Sequence, residues 1–180
     1  MKSVFSTLML ASLLGTTSYA AEATIPLTGE NTKITFVGTK PDGKHEGGFK
    51  TLTGTATVDG KDVTTLKIAI EIDMNSTFSD DEKLTGHLKS PDFFGVKDNP
   101  KAKFVTTKVE KGDAGYNVTG KLTLCGKTKE VTFPAKIETN GETLSLTSNF
   151  KIDRNDWGIK YGKGKIGDDV ALAVVISVKK

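Results

Sequence analysis

From Thr24 onward the chain alternates apolar and polar residues in run after run. Leu66-Lys67-Ile68-Ala69-Ile70-Glu71-Ile72-Asp73 puts four large apolar side chains on one face and mostly charge on the other. A period of two is the geometry of a half-buried β-strand, because successive side chains point to opposite faces. Ile34 and Phe36 share a phase, as do Val131, Phe133, Ala135 and Ile137, and then Leu144, Leu146, Phe150 and Ile152. Counting such runs predicts eight strands, at about 32–38, 48–58, 65–73, 101–109, 115–125, 128–138, 143–152 and 168–179. Asn140-Gly141 is a strong hairpin signal because both residues tolerate positive φ, and Cys125-Gly126-Lys127-Thr128 predicts a second tight connection. The chain is therefore all-β. Eight mostly antiparallel strands with one apolar face each bury it in a sandwich or in a barrel, and alternation does not choose between the two.

One segment breaks the pattern. Ser79-Asp80-Asp81-Glu82 has the form of a capping box, with acidic residues where a helix N-terminus favours them. Leu84 and Leu88 fall on one helical face, and Pro91 stops the helix. This places a short helical cap between the third and fourth predicted strands. Pro91-Asp92-Phe93-Phe94 follows it as a lid or plug.

Before the first strand lies an address. Lys2, the apolar stretch Val4 to Leu14 and the small residues of Ser18-Tyr19-Ala20 form the three-part pattern of a secretory signal peptide, cut after Ala20. The apolar run is too short to cross a bilayer as a helix. The expected organisation is a signal peptide over 1–20 and one barrel or sandwich domain over 21–180, with no stable membrane insertion. Cys125 is the single cysteine, so no disulfide forms within the chain and stability rests on the core. A polytopic membrane protein is excluded because only this one N-terminal apolar run approaches membrane length, and the composition, 36% hydrophobic with 19 glycines, sits above the range of disordered chains. Large side chains are scarce, and bending points are plentiful. The net charge of +3 is too low to imply a nucleic-acid partner.

A search for chemistry finds little. His45 and His87 lie two strands apart with no zinc-type spacing, so no metal or cofactor is expected. No Gly-x-Ser-x-Gly segment occurs, and Ser90 near His87 does not make a triad. Gly43-Lys44-His45-Glu46-Gly47-Gly48 lacks the Walker spacing and a following helix; it is expected to be a mobile turn or a barrel rim. Lys160-Tyr161-Gly162-Lys163-Gly164-Lys165 is a basic, glycine-rich loop, either solvated or in contact with anionic head groups. Phe93, Phe94, Phe104 and Trp157 are expected to gather around the helix and one loop, and on composition alone core packing accounts for them.

Three segments carry a resemblance. Thr85 to Val96, including His87-Leu88-Lys89-Ser90-Pro91-Asp92-Phe93-Phe94, followed by Asn99 to Phe104, resembles the signature of the YceI-like family. Val118 to Val131 and Ile152 to Ile159 are similar to its two later motifs, in the same order. The resemblance implies an eight-stranded antiparallel lipocalin-like barrel in the periplasm, with a helical cap and a long hydrophobic pore for a polyisoprenoid or quinone-like lipid. Two departures fall where a pore mouth would lie: Phe36-Val37-Gly38-Thr39 has no histidine, and Gly95 stands where an acidic residue is common.

On this basis Phe36, Ile68, Ile70, Phe104, Phe133 and Phe150 are expected to line the interior, and Leu84, Leu88, Phe93 and Phe94 to close one end. Trp157 joins the ligand-binding set. His87 and Arg154 each have two roles open, fixing the cap or touching a polar head group. The expected function is non-enzymatic lipid binding or carriage. The alternatives are an enzyme on an amphiphile with His87 as acid or base, and an interaction protein whose barrel is a filled scaffold.

Overall fold

Every ladder between the described strands is antiparallel. The computed structural model describes residues 23–113 and 115–179, so the expected signal peptide lies outside the described residues. The strands are β1 (Ala23–Thr28), β2 (Thr32–Lys40), β3 (Gly43–Phe49), β4 (Leu52–Asp59), β5 (Asp62–Asp73), β6 (Thr77–Ser79), β7 (Lys101–Gly112), β8 (Gly115–Leu124), β9 (Lys127–Thr139), β10 (Leu144–Asp153) and β11 (Asp169–Val178). One helix, α1 (Glu82–Lys89), accompanies them, with 3-10 turns at Met74–Ser76 and Arg154–Trp157. The sheet order is β1-β4-β5-β7-β8-β9-β10-β11-β2-β3-β6.

Covalent continuity curls this sheet into a lipocalin-like barrel. β3 runs on into β4 and β5 into β6, and the bonds Lys50 N–H to Ser76 O (3.3 Å) and Asp73 N–H to Thr51 O (3.0 Å) carry the pairing across both kinks. The strand β11 pairs with β10 on one side and β2 on the other.

The described strands number eleven, where alternation predicts eight. Three of them were not expected: β1, β3, most of which was read as a turn, and β6, which continues β5 beyond the kink at Met74–Ser76 as β4 continues β3 beyond Lys50-Thr51. Pro26 hides β1 in the sequence; it is tolerated there because β1 ends the sheet and pairs only with β4. The helix consequently falls between β6 and β7. Its N-cap is Asp81, which accepts a bond from the Leu84 N–H at 2.7 Å, while Ser79 belongs to β6. Ser90, with ψ 167°, ends the helix in the extended conformation that Pro91 imposes on its predecessor. Asn140-Gly141 sits in a four-residue connection. The two-residue turn with both φ values positive is Cys125 (49°) and Gly126 (71°).

The apolar phase of each strand gathers inside, but the interior is filled unevenly. Towards the β4–β5 and β9–β10 turns, Val58, Val118, Leu144, Leu146, Leu27 and Ile176 are at most 1% exposed. Towards α1, residues of the same phase (Ile34, Phe49, Leu122, Leu124, Ile152, Leu172) remain only half-buried.

Gly43 to Gly48, expected as a turn or rim, form most of strand β3. Its glycines admit aromatic rings from the neighbouring strand. Phe36 faces Gly47 in register, and a Cβ on Gly47 would sit 2.5 Å from the Phe36 ring and from the Phe78 carbonyl oxygen. Gly120 is covered in the same way by Phe104. The glycine excess thus serves ring-over-backbone packing as well as turns. We predict that Gly120→Ala costs about 1–3 kcal/mol, the range for overpacking, read as a lowered denaturation midpoint at unchanged slope. An unchanged midpoint would show that the Phe104 ring moves aside freely.

Candidate functional site: an apolar cavity beneath the helix

The half-buried residues at the α1 end surround a cavity of about 150 Å³. Ile34 and Phe36 of β2, Phe49 of β3, Ile72 of β5, Ala102 of β7, Leu122 and Leu124 of β8, Ile152 of β10, and Val170 and Leu172 of β11 form its wall. Leu88, Phe93 and Phe94 roof it, and Ile159, Ile166 and Gly167 of the β10–β11 connection complete the rim. Arg154 is the only ionisable residue in this lining. A second space of about 100 Å³ shares Phe36, Gly38, Leu88, Phe93 and Ile166 with the first and reaches Lys40, His45 and Leu84.

Aromatic rings mark three levels through this half of the barrel. Phe104, Phe133 and Phe150 form the deepest group, with Phe133 and Phe150 stacked at 4.4 Å and 12°. Phe36, Phe49 and Phe94 meet at centroid distances of 5.7–6.3 Å on the cavity wall. His87, Phe93 and Tyr161 make the outermost group, the imidazole edge-on to both rings at 4.9 and 4.7 Å. The last group joins the helix to the β10–β11 connection. His87 Nε2 and Asp92 Oδ2 lie 3.0 Å apart, which turns the imidazole towards the roof segment.

Arg154 is buried and spends its donors on protein. Its Nε donates to the Gly167 carbonyl (3.0 Å), Nη1 to the carbonyls of Ile159 (2.9 Å) and Tyr161 (2.7 Å), and Nη2 to Ile166 O (3.5 Å) and Asp168 Oδ1 (3.3 Å). A guanidinium suits this because five N–H groups in a rigid fork reach several acceptors at once. The residue folds the 159–168 connection over the barrel end.

On the opposite side, His45 Nδ1 lies 3.0 Å from Asp80 Oδ1, and Asp80 Oδ2 accepts the Glu46 N–H. These contacts tie the β2–β3 hairpin to the start of the helix. The Glu46 N–H, then His45, holds the Asp80 carboxyl below the usual range. Among the described residues, no three of His, Cys, Asp and Glu gather as a metal group.

Cys125 is half-buried, and its Sγ lies 3.6 and 3.7 Å from the carbonyls of Phe93 and Phe94. Burial pushes its thiol up to about 11, against the opposing pull of Lys127. At neutral pH the thiolate fraction is then small, and the thiolate is the nucleophile. Iodoacetamide should therefore modify Cys125 in the folded protein far more slowly than glutathione at pH 7.5, with a rate still climbing above pH 9. Labelling at the glutathione rate would mean that the roof opens readily.

Of the residues expected to hold a ligand, Phe36, Leu84, Leu88, Phe93, Phe94 and Arg154 line these two spaces. Ile68, Ile70, Phe104, Phe133 and Phe150 face inward but lie outside the lining of both, in or against the packed core. Trp157 is 2% exposed and donates its indole N–H to the Leu122 carbonyl at 3.2 Å, so it supports the wall from behind. His87 lies on the outer side of the roof. The expected long pore is thus a shorter cavity, because large side chains fill the other half of the barrel. The lining that sequence reasoning missed, including Ile34, Phe49, Ile72, Ile152 and Leu172, carries the same alternation as the residues it named. Phase shows which way a side chain points and says nothing of its height in the barrel.

These features define a class: a curled antiparallel barrel, packed at one end, with an apolar cavity under a helical roof at the other. Known proteins place it further. A family model described as the YceI-like domain matches residues 26–178. Protein YceI of Salmonella newport is 32% identical over 176 residues, covering 93% of this chain and 92% of that one. A UPF0312 protein of Serratia proteamaculans is 35% identical over 136 residues, 72% of this chain and 71% of its own. Among solved structures, Burkholderia cenocepacia BcnA is similar with a TM-score of 0.76 at 26% identity, over 84% of this chain and 98% of that one. A polyisoprenoid binding domain from Saccharophagus degradans shares the fold with a TM-score of 0.67 at 16% identity, over 86% and 97% of the two chains. The chain belongs to the YceI-like family.

Proposed function

We propose that the protein is a non-enzymatic periplasmic carrier that holds the apolar chain of an isoprenoid-type lipid in the cavity beneath α1. The observation that carries this reading is the lining, hydrocarbon apart from one arginine whose donors are already engaged. Such a surface recognises a ligand by removing it from water, at roughly 0.8 kcal/mol per methylene, and needs no spaced polar groups. The name of the Saccharophagus domain supports the ligand class. Residues 1–20, read as a signal peptide cut after Ala20, support export of a domain spanning 21–180. Among the described residues no helix is long and apolar enough to cross a membrane.

Size limits how the lipid sits. A cavity of about 150 Å³ holds one benzene-sized molecule, so the two spaces together admit about two five-carbon units. A longer chain enters by displacing the roof, which meets its surroundings through the rings of Phe36, Phe49 and Phe94, the Phe93–Tyr161 pair and the Cys125 Sγ contacts to the Phe93 and Phe94 carbonyls rather than through a hydrogen-bonded ladder. General acid–base catalysis by His87 gains no support, since that residue does not line either space.

Native mass spectrometry of protein purified from its own periplasm tests the proposal. The expected result is a mass excess that organic extraction removes and that fragments with the repeat of an isoprenoid. A uniformly ligand-free protein that also fails to bind added polyprenol would overturn it.

A further inference from the structure

We infer that the 158–167 connection is a docking surface for an anionic phospholipid bilayer, which sets the cavity rim against the membrane. This goes beyond ligand binding and is independent of what the cavity holds. Residues 158–167 carry Lys160, Lys163 and Lys165 and no carboxylate. All three lysines are exposed, and none makes an ion pair among the described residues. Of the adjoining carboxylates, Asp168 is engaged by Arg154 and Asp169 lies 3.9 Å from Lys151, while Asp156 on the N-terminal side remains exposed.

At the centre of this group stands Tyr161, 45% exposed and one of the most exposed large apolar side chains among the described residues. Lysines around an aromatic residue with an apolar body and a polar tip match a bilayer interface, where cations meet phosphates and the ring sits at head-group depth. The group is held in place from below, because Arg154 ties down the carbonyls of Ile159, Tyr161 and Gly167. Position completes the case. Ile159, Ile166 and Gly167 of this same segment line the cavity, so a bilayer bound to the lysines lies beside its rim.

The test is co-sedimentation of the protein purified from its host with vesicles of phosphatidylcholine alone or mixed with phosphatidylglycerol. Binding is expected only to the anionic vesicles and should weaken as salt shortens the range of the attraction. Lys160→Gln, Lys163→Gln and Lys165→Gln together should weaken it by roughly a hundredfold, since each lysine near an anionic surface contributes roughly a fivefold factor. Tyr161→Ser should weaken it further at high salt. A control that removes Lys121, Lys129 and Lys136 from the outer wall changes net charge equally and should bind like the parent protein. Equal binding to both vesicle types, no binding to either, or equal losses in the two triple variants would overturn the inference. So would a loop variant that loses its co-purified lipid yet sediments like the parent, since the lysines would then serve the ligand's own head group. Lipid retained in the cavity of a variant that no longer sediments would leave the carrier reading standing while supporting the docking surface.

Discussion

Leu172→Trp should abolish lipid retention while leaving the barrel folded. Leu172 sits on β11, paired with Phe36 on one side and Phe150 on the other, and its half-buried side chain borders the cavity. An indole there enters space that is already empty, so the stability change should stay within the roughly 1–3 kcal/mol of ordinary overpacking. The same space is what a hydrocarbon chain would occupy, and the two compete for it directly. Native mass spectrometry reads the lipid, and denaturant unfolding reads the fold. Leu146→Ala provides the contrast. Leu146 is 1% exposed in the packed half, so its truncation should cost about 2–5 kcal/mol and leave the lipid in place. If Leu172→Trp keeps its lipid and Leu146→Ala loses it, the ligand lies in the other half of the barrel.

The second large effect belongs to Arg154. Arg154→Ala should lower stability by about 3 kcal/mol, because it strips partners from several loop carbonyls at once. For a domain of this size that is a fall in Tm of roughly 6–12 °C. Arg154→Lys keeps the charge but supplies a single ammonium where a planar fork had reached both Gly167 and Ile159, so most of the loss should remain. Thermal unfolding of the two variants separates charge from geometry. A lysine variant as stable as the parent would mean that the loop needs only a cation. Both variants should also release lipid faster, since Ile159, Ile166 and Gly167 define the cavity rim.

The two sets of residues differ in how visible they are in the chain. Leu172 shares its alternation with Val170 and Val174 on β11, and nothing local separates it from Ile176, which is 1% exposed. For Arg154 the sequence leaves a head-group role open beside the favoured scaffold role. Only the return of the 159–168 segment over its guanidinium decides for the scaffold, and that fold-back depends on contacts that no short window contains. Cys125 was legible in part. A lone cysteine before a glycine predicts a turn, and the turn is there, but its contact with the Phe93 and Phe94 carbonyls joins residues about thirty apart.

Local physical rules were enough for much else. Period-two patterning determined an all-β chain and the inward face of the eight runs it marked, because a pleated backbone sends alternate side chains to opposite sides. Leu84, Leu88 and Pro91 marked a helix between sheet segments, although its cap lies two residues later than the serine suggested. Motif order pointed to the family. Tertiary structure decided where strands bend, added β1, β3 and β6 to the eight expected, and set at what height each inward residue lies. It alone separated Ile68 and Ile70, packed solid, from Ile72 two residues on, which borders empty space. The reason is that burial phase is a property of one strand, whereas a cavity is a property of all the strands and the roof that surround it.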